Sequence, residues 1–242
     1  LYLRLKLEDT PVFRELAEHG EAEAEASGAF KDVFREYWPV MLKLAGLVIA
    51  LNVANYTLLA YLPTYLQGTI NMSSGDTDLL VVVGQVAMLV FIPLAGGLSD
   101  RVGRKPLWWF SLVGLFVLAI PMFLLMSQGL GWAIVAFTVL GLVYVAQLAT
   151  ISATFPAMFP THVRFTGFAI TYNVATAAFG GTAPFVNEWL IGSTGDNLIP
   201  AYYMMAACAV GMIALARVPE TAGASIRGRG IPTREPVSAA PR

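Results

Sequence analysis

The chain has 242 residues, 57% hydrophobic and only 13% charged, about half the roughly 25% charge of a soluble domain. So little charge cannot clothe a folded surface in water, which excludes a soluble globular module and points to a membrane protein. The net charge of −1 favours neither nucleic acid nor acidic partners, and the single cysteine, Cys208, excludes an internal disulfide and C-x-x-C metal or redox chemistry.

Residues 1–38 read as a cytoplasmic linker. Its opening, LYLRLK, looks like the exit of an earlier helix, so the expectation is a C-terminal half or a fragment. Residues 8–36 carry nine acidic side chains with a Glu-Ala alternation at 21–26, a solvated segment rather than a binding module. Its aromatic end, Phe30, Phe34 and Trp38 at i, i+4 spacing together with Tyr37, suits the membrane interface. A helix needs about 20 apolar residues to cross the hydrocarbon. Six stretches qualify, at about 41–66, 79–98, 107–126, 132–155, 165–191 and 199–217. The fifth, with Asn173, Pro184 and Glu188, is the least hydrophobic. Continuous runs of this length exclude a β-barrel, whose strands alternate over about ten residues. The tail 219–242, rich in Gly, Pro, Ser and Arg, reads as disordered.

Six spans place all fifteen Lys and Arg on one side. They fall before or at the start of span one, between spans two and three, between four and five, and at or after the end of six. The alternate loops 67–78, 127–131 and 192–198 have none. The positive-inside rule makes the basic side cytoplasmic, with both termini there and the chain multi-pass in the cell (inner) membrane.

The most specific local pattern is GGLSDRVGRKP at 96–106, read as the short turn between spans two and three. Gly103 permits a tight reversal, and Pro106 suits the first turn of the next helix. Its cations suit the C-terminal dipole of the preceding helix, but a positive-inside anchor does not explain Asp100 among them. Elsewhere, polar residues form stripes inside the spans: Asn52, Asn55 and Tyr56 in the first, Gln85 in the second, Tyr144, Gln147, Thr150 and Thr154 in the fourth, Tyr172, Asn173 and Thr176 in the fifth. Facing lipid they would be costly, so they line a cavity or join helices by hydrogen bonds. Glu188 is the only carboxylate within the six stretches and is placed at the outer mouth; His19 and His162 fall in cytoplasmic segments. An intramembrane serine protease would need a buried histidine, an ATPase a phosphate loop, and neither is present. A channel would show paired half-helices. No metal or cofactor site is expected.

The pattern G-x-x-x-D-R-x-G-R-K between two spans resembles the signature loop of the major facilitator superfamily. The stretches LEDTPVF at 7–13, YW at 37–38, GLVIALN at 46–52, PAMFPTH at 156–162, PAYY at 200–203 and ETA at 220–222 narrow the resemblance to its metabolite:proton symporter family. That resemblance implies an all-α membrane fold, a six-helix bundle built as a 3+3 inverted repeat and forming the C-terminal half of a transporter. It implies proton-coupled symport, by alternating access, of a small zwitterion such as proline or glycine betaine. The alternatives are an organic-acid symporter for shikimate, citrate or oxoglutarate, or a half-transporter scaffold without transport. Gly96, Asp100, Arg101, Gly103, Arg104 and Lys105 would form the signature loop, with Asp100 and Arg104 latching to an N-terminal six-helix half. Partners are then solute, protons, that half and lipid, with no nucleic acid. Tyr56 and Tyr61 are the aromatic candidates for an ammonium group. The tail lacks heptads, so osmotic sensing through a coiled coil is not expected.

Overall fold

The computed structural model describes residues 34–160 and 163–220. The acidic linker, Phe30, His19, His162 and nearly all of the tail lie outside the described residues. Within them the chain is helical, with no strand.

Helix α1, Trp38–Gly68, starts with a proline in its first turn and is interrupted by a π turn at Tyr56–Tyr61. Helix α2, Ser74–Val102, begins earlier than the apolar run because Ser73 caps it, its Oγ accepting from the Asp76 N–H at 3.1 Å. It continues past that run to Val102, and Gly103 alone, at φ 106° and ψ 158°, separates it from α3, Arg104–Met126. The expected loop at 96–106 is therefore a correction: Gly96, Asp100 and Arg101 ride on the last turns of α2, Arg104 and Lys105 open α3, and the turn is one residue. A backbone at positive φ with extended ψ is open only to glycine at low cost, so a single Gly suffices to reverse the chain.

Helix α4, Leu130–Thr154, has a hitch at Ala149–Thr150 and leads into a short 3₁₀ turn at Pro156–Met158. The fifth stretch is not one continuous helix. It is α5, Arg164–Ala175, then a π turn at Thr176–Gly180, then α6, Ala183–Thr194. Pro184 lacks the N–H that would bond the Gly180 carbonyl, so the regular ladder cannot run through. Helix α7, Ile199–Ala216, follows. Five helices are long and apolar enough to cross a membrane (α1, α2, α3, α4 and α7), and the interrupted pair α5–α6 supplies the sixth rod of the bundle.

The core is built on α1 and α3. Trp108, Phe123, Phe137, Tyr144, Tyr65 and Phe155 are fully buried among leucines of α1. Helices α1 and α7 cross at small residues on both sides: a Cβ on Gly46 would stand 2.6 Å from that of Ala214, and one on Gly211 2.6 Å from that of Ala50. Without a hydrophobic drive between helices in lipid, such backbone proximity carries the packing. The periphery is apolar: Phe165 is 83% exposed, Leu89 68% and Phe110 62%. Asn52, Ser111 and Gln147 are meanwhile buried. That inside-out arrangement suits hydrocarbon as solvent.

Candidate functional site

The polar residues of α1 do converge with those of other spans. Asn52, one turn before the π turn, donates from Nδ2 to the Val48 carbonyl at 3.1 Å and to Thr176 Oγ1 at 3.0 Å. Asn55 accepts at Oδ1 from the Tyr144 hydroxyl at 3.2 Å. Tyr56 lies against Gly180, where an added Cβ would stand 2.8 Å from its ring. Tyr172 packs on Phe168 and Phe155 with ring centroids 5.5 and 6.3 Å apart. One face of α1 thus meets α4 and the π turn that joins α5 to α6. Asn55 and Tyr56 are half-buried there. The face is uncharged and offers donors, acceptors and aromatic rings.

Other expected members of the site do not join it. Gln147 is fully buried against α3, where its Nε2 donates to Ser111 Oγ at 2.9 Å. Thr150 donates back to the carbonyls of Ala146 and Gln147, both at 3.1 Å. The cause is helical geometry: three residues advance the helix by about 300°, so Tyr144, Gln147 and Thr150 fan over about 120° of α4. One edge of the fan meets α1 and the next meets α3. Gln85 is exposed on α2, and Asn173 is exposed with its Nδ2 on the Ala169 carbonyl of its own helix at 2.7 Å. Tyr61 is buried and donates to Glu188 Oε2 at 2.8 Å, so its hydroxyl is engaged by a carboxylate.

A second constellation lies at the basic end. Glu220, just past α7, accepts from the Arg104 N–H at 3.2 Å and the Lys105 N–H at 3.0 Å. It acts as the N-terminal cap that α3 cannot take from Gly103. Lys105 Nζ donates to the Val218 carbonyl at 2.7 Å, and Arg104 Nη1 to the Ala153 carbonyl at 2.8 Å. One short basic sequence thereby ties the start of α3 to the ends of α4 and α7. Arg164 Nε reaches the Phe159 carbonyl at 3.1 Å. Asp100 and Arg101 stand exposed on the final turn of α2, and the Gly96 carbonyl accepts from Ser99 Oγ at 2.7 Å. Sequence reasoning missed the capping role of Glu220, and Ser111 as the partner of Gln147. Neither leaves a local signal, since each contact joins residues 36 or more positions apart. Among the described residues no group of three or more His, Cys, Asp or Glu could hold a metal.

The family model for "Sugar (and other) transporter" matches residues 4–228. The chain is 37% identical over 235 residues to the proline/betaine transporter of Escherichia coli (strain K12), covering 94% of this chain and 47% of that protein. It is 34% identical over 235 residues to the glycine betaine/proline/ectoine/pipecolic acid transporter OusA of Dickeya dadantii, with the same coverage. To the ectoine/proline transporter ProP of Corynebacterium glutamicum it is 32% identical over 248 residues, covering 99% of this chain and 49% of that one. The chain spans about half the length of these relatives. With its rods of apolar helix, its one-residue Gly103 turn and a match along almost its whole length, the chain belongs to the sugar (and other) transporter family of the major facilitator superfamily, as one six-helix half of that fold.

Proposed function

We propose that this chain is the C-terminal half of a proton-coupled symporter for a small zwitterion such as proline or glycine betaine, working by alternating access. The observation that carries the substrate reading is the uncharged face of half-buried Asn55 and Tyr56 beside the paired π turns, with Asn52 and Tyr144 buried behind it and bonded to Thr176 and Asn55. A zwitterion needs hydrogen-bond donors and acceptors and an aromatic face more than a fixed cation. No Lys or Arg lies deep in any described span, which sits poorly with an anionic substrate. The relatives are named for proline, betaine and ectoine, and the half-length coverage supports an N-terminal six-helix half as the other wall of the cavity.

On this reading the basic end is cytoplasmic in the inner membrane, and both termini lie there. Asp100 and Arg104 act in the signature latch: Arg104 is tied to α4 within this half, and exposed Asp100 is left for the opposite half. The proton-binding group is expected in that other half.

The test is uptake of labelled proline and glycine betaine by proteoliposomes holding the intact transporter, with and without an inward proton gradient. Gradient-stimulated uptake of either is expected, reduced at least about tenfold by Asp100→Ala at equal protein. Uptake indifferent to the gradient would remove symport. Preferred uptake of citrate or shikimate would replace the zwitterion, absence of all flux would favour a scaffold, and normal uptake by Asp100→Ala would remove the latch.

A further inference from the structure

Among the described residues, helix α6 is one of the least buried pieces of the bundle. Of its twelve residues only Ala183 and Asn187 are buried, and Phe185 and Trp189 are 71% and 62% exposed. It packs on the π turn of α1 and on α7. Its hydrogen bonds from Asn187, Ser193 and Thr194 all return to its own carbonyls. Among the described residues, its one side-chain hydrogen bond to another span is that between Glu188 Oε2 and the Tyr61 hydroxyl, 2.8 Å long.

The two ends of that bond differ in kind. Tyr61 is 2% exposed. Its ring lies 6.3 Å from that of Tyr65, which stands 5.6 Å from Phe123 of α3 and donates to the Asn197 carbonyl at 2.9 Å. Tyr61 belongs to a fixed wall. Glu188 is exposed and sits on a segment joined to α5 through Thr176–Gly180, Gly181 and Thr182. There Gly181 N–H reaches back five residues to the Thr176 carbonyl at 2.9 Å, and Pro184 leaves the Gly180 carbonyl without its helical donor. π turns and glycine–proline breaks are where helices bend. Inward of the break, Tyr56 against Gly180 and Asn52 bonded to Thr176 fix the pivot. Few buried contacts and one polar tether describe a segment that opens locally before the rest.

We propose that Ala183–Thr194 is a hinged leaf at the end of the bundle away from the basic turn, pivoting on the π turn and pinned to the first span by the Tyr61–Glu188 hydrogen bond. Its meaning as an outer gate rests on the transport reading; its hinge and pin do not. A carboxylate as acceptor makes the pin stronger than a neutral pair, and Glu188 on an exposed face requires that face to meet water or protein rather than lipid.

Hydrogen–deuterium exchange of the full-length protein in nanodiscs tests it without any substrate. Glu188→Ala and Tyr61→Phe should each speed exchange across 183–194 roughly tenfold, and the double variant no more than either alone, because both remove one bond. Glu188→Gln, which keeps an acceptor, should stay within about threefold of the parent, and residues 104–126 should not change. Unchanged exchange at 183–194 in both single variants, or equal loss of protection over 104–126, would overturn the leaf and its pin. Failure of proline and betaine uptake by the parent protein would overturn the proposed function alone, since the exchange readout needs no solute.

Discussion

Gly103 shows how much a single residue holds at the basic end. Its φ of 106° and ψ of 158° close two long helices onto each other, and an added Cβ would stand 2.9 Å from Glu220 Oε2, the oxygen that caps α3. Gly103→Ala therefore carries two penalties, backbone strain of about 1–3 kcal/mol and displacement of the cap. Gly97→Ala is the control, because nothing lies within 4 Å of its added Cβ and an exposed helical alanine gains about 0.8–1 kcal/mol over glycine. Thermal unfolding in detergent should show a lowered midpoint for the first and an unchanged or raised one for the second; equal midpoints would mean that the turn carries no strain. Gly103 was legible in the sequence as a reversal next to basic residues. Glu220 as its neighbour was not, because a contact spanning more than a hundred residues leaves no local trace. The same holds for Ser111 and Gln147, each unremarkable alone and joined only when α3 and α4 pack.

At the scale of helices, length and apolarity found the rods, and the misses all concern interruptions and ends. Helix α2 outruns its apolar stretch because Ser73 caps one end and a glycine stops the other, so charged Asp100 and Arg101 stay helical. The fifth stretch reads as one run, yet Pro184 and the glycines before it split it into α5 and α6. The π turn in α1 has its marker just beyond it, for Pro63 lacks the N–H that would bond the Leu59 carbonyl. The stripe on α4 looks like one face by residue spacing alone, but its angular drift divides it between α1 and α3. Packing between helices turns on small residues. Gly211→Val should force α7 away from Ala50 and Leu112, the latter with a side-chain carbon 2.9 Å from an added Cβ. Overpacking of this kind costs about 1–3 kcal/mol, read as a lower unfolding midpoint in detergent. Wild-type stability would mean that the α1–α7 crossing is not close-packed.

For the whole molecule, the basic residues and the fold agree on an asymmetry that neither was used to define. The start of α3 and the ends of α4 and α7 meet in one network through Arg104, Lys105 and Glu220. The opposite end gathers Tyr65, Asn197, Tyr61 and Glu188 without a Lys or Arg. A membrane-spanning bundle whose described Lys and Arg all lie toward one end has one orientation favoured over the other. The proposed transport, the latch and the leaf's role as an outer gate all depend on which aqueous face each end meets. Cys208 is the single cysteine of this sequence and is fully buried, so cysteines introduced into this half report with little background from it. Intact cells expressing Ser74→Cys, Gln128→Cys or Val102→Cys, treated with a membrane-impermeant maleimide, are predicted to label at 74 and 128 and to label at 102 only after permeabilisation. Labelling of Val102→Cys in intact cells, or protection of the other two, would contradict the six-span topology.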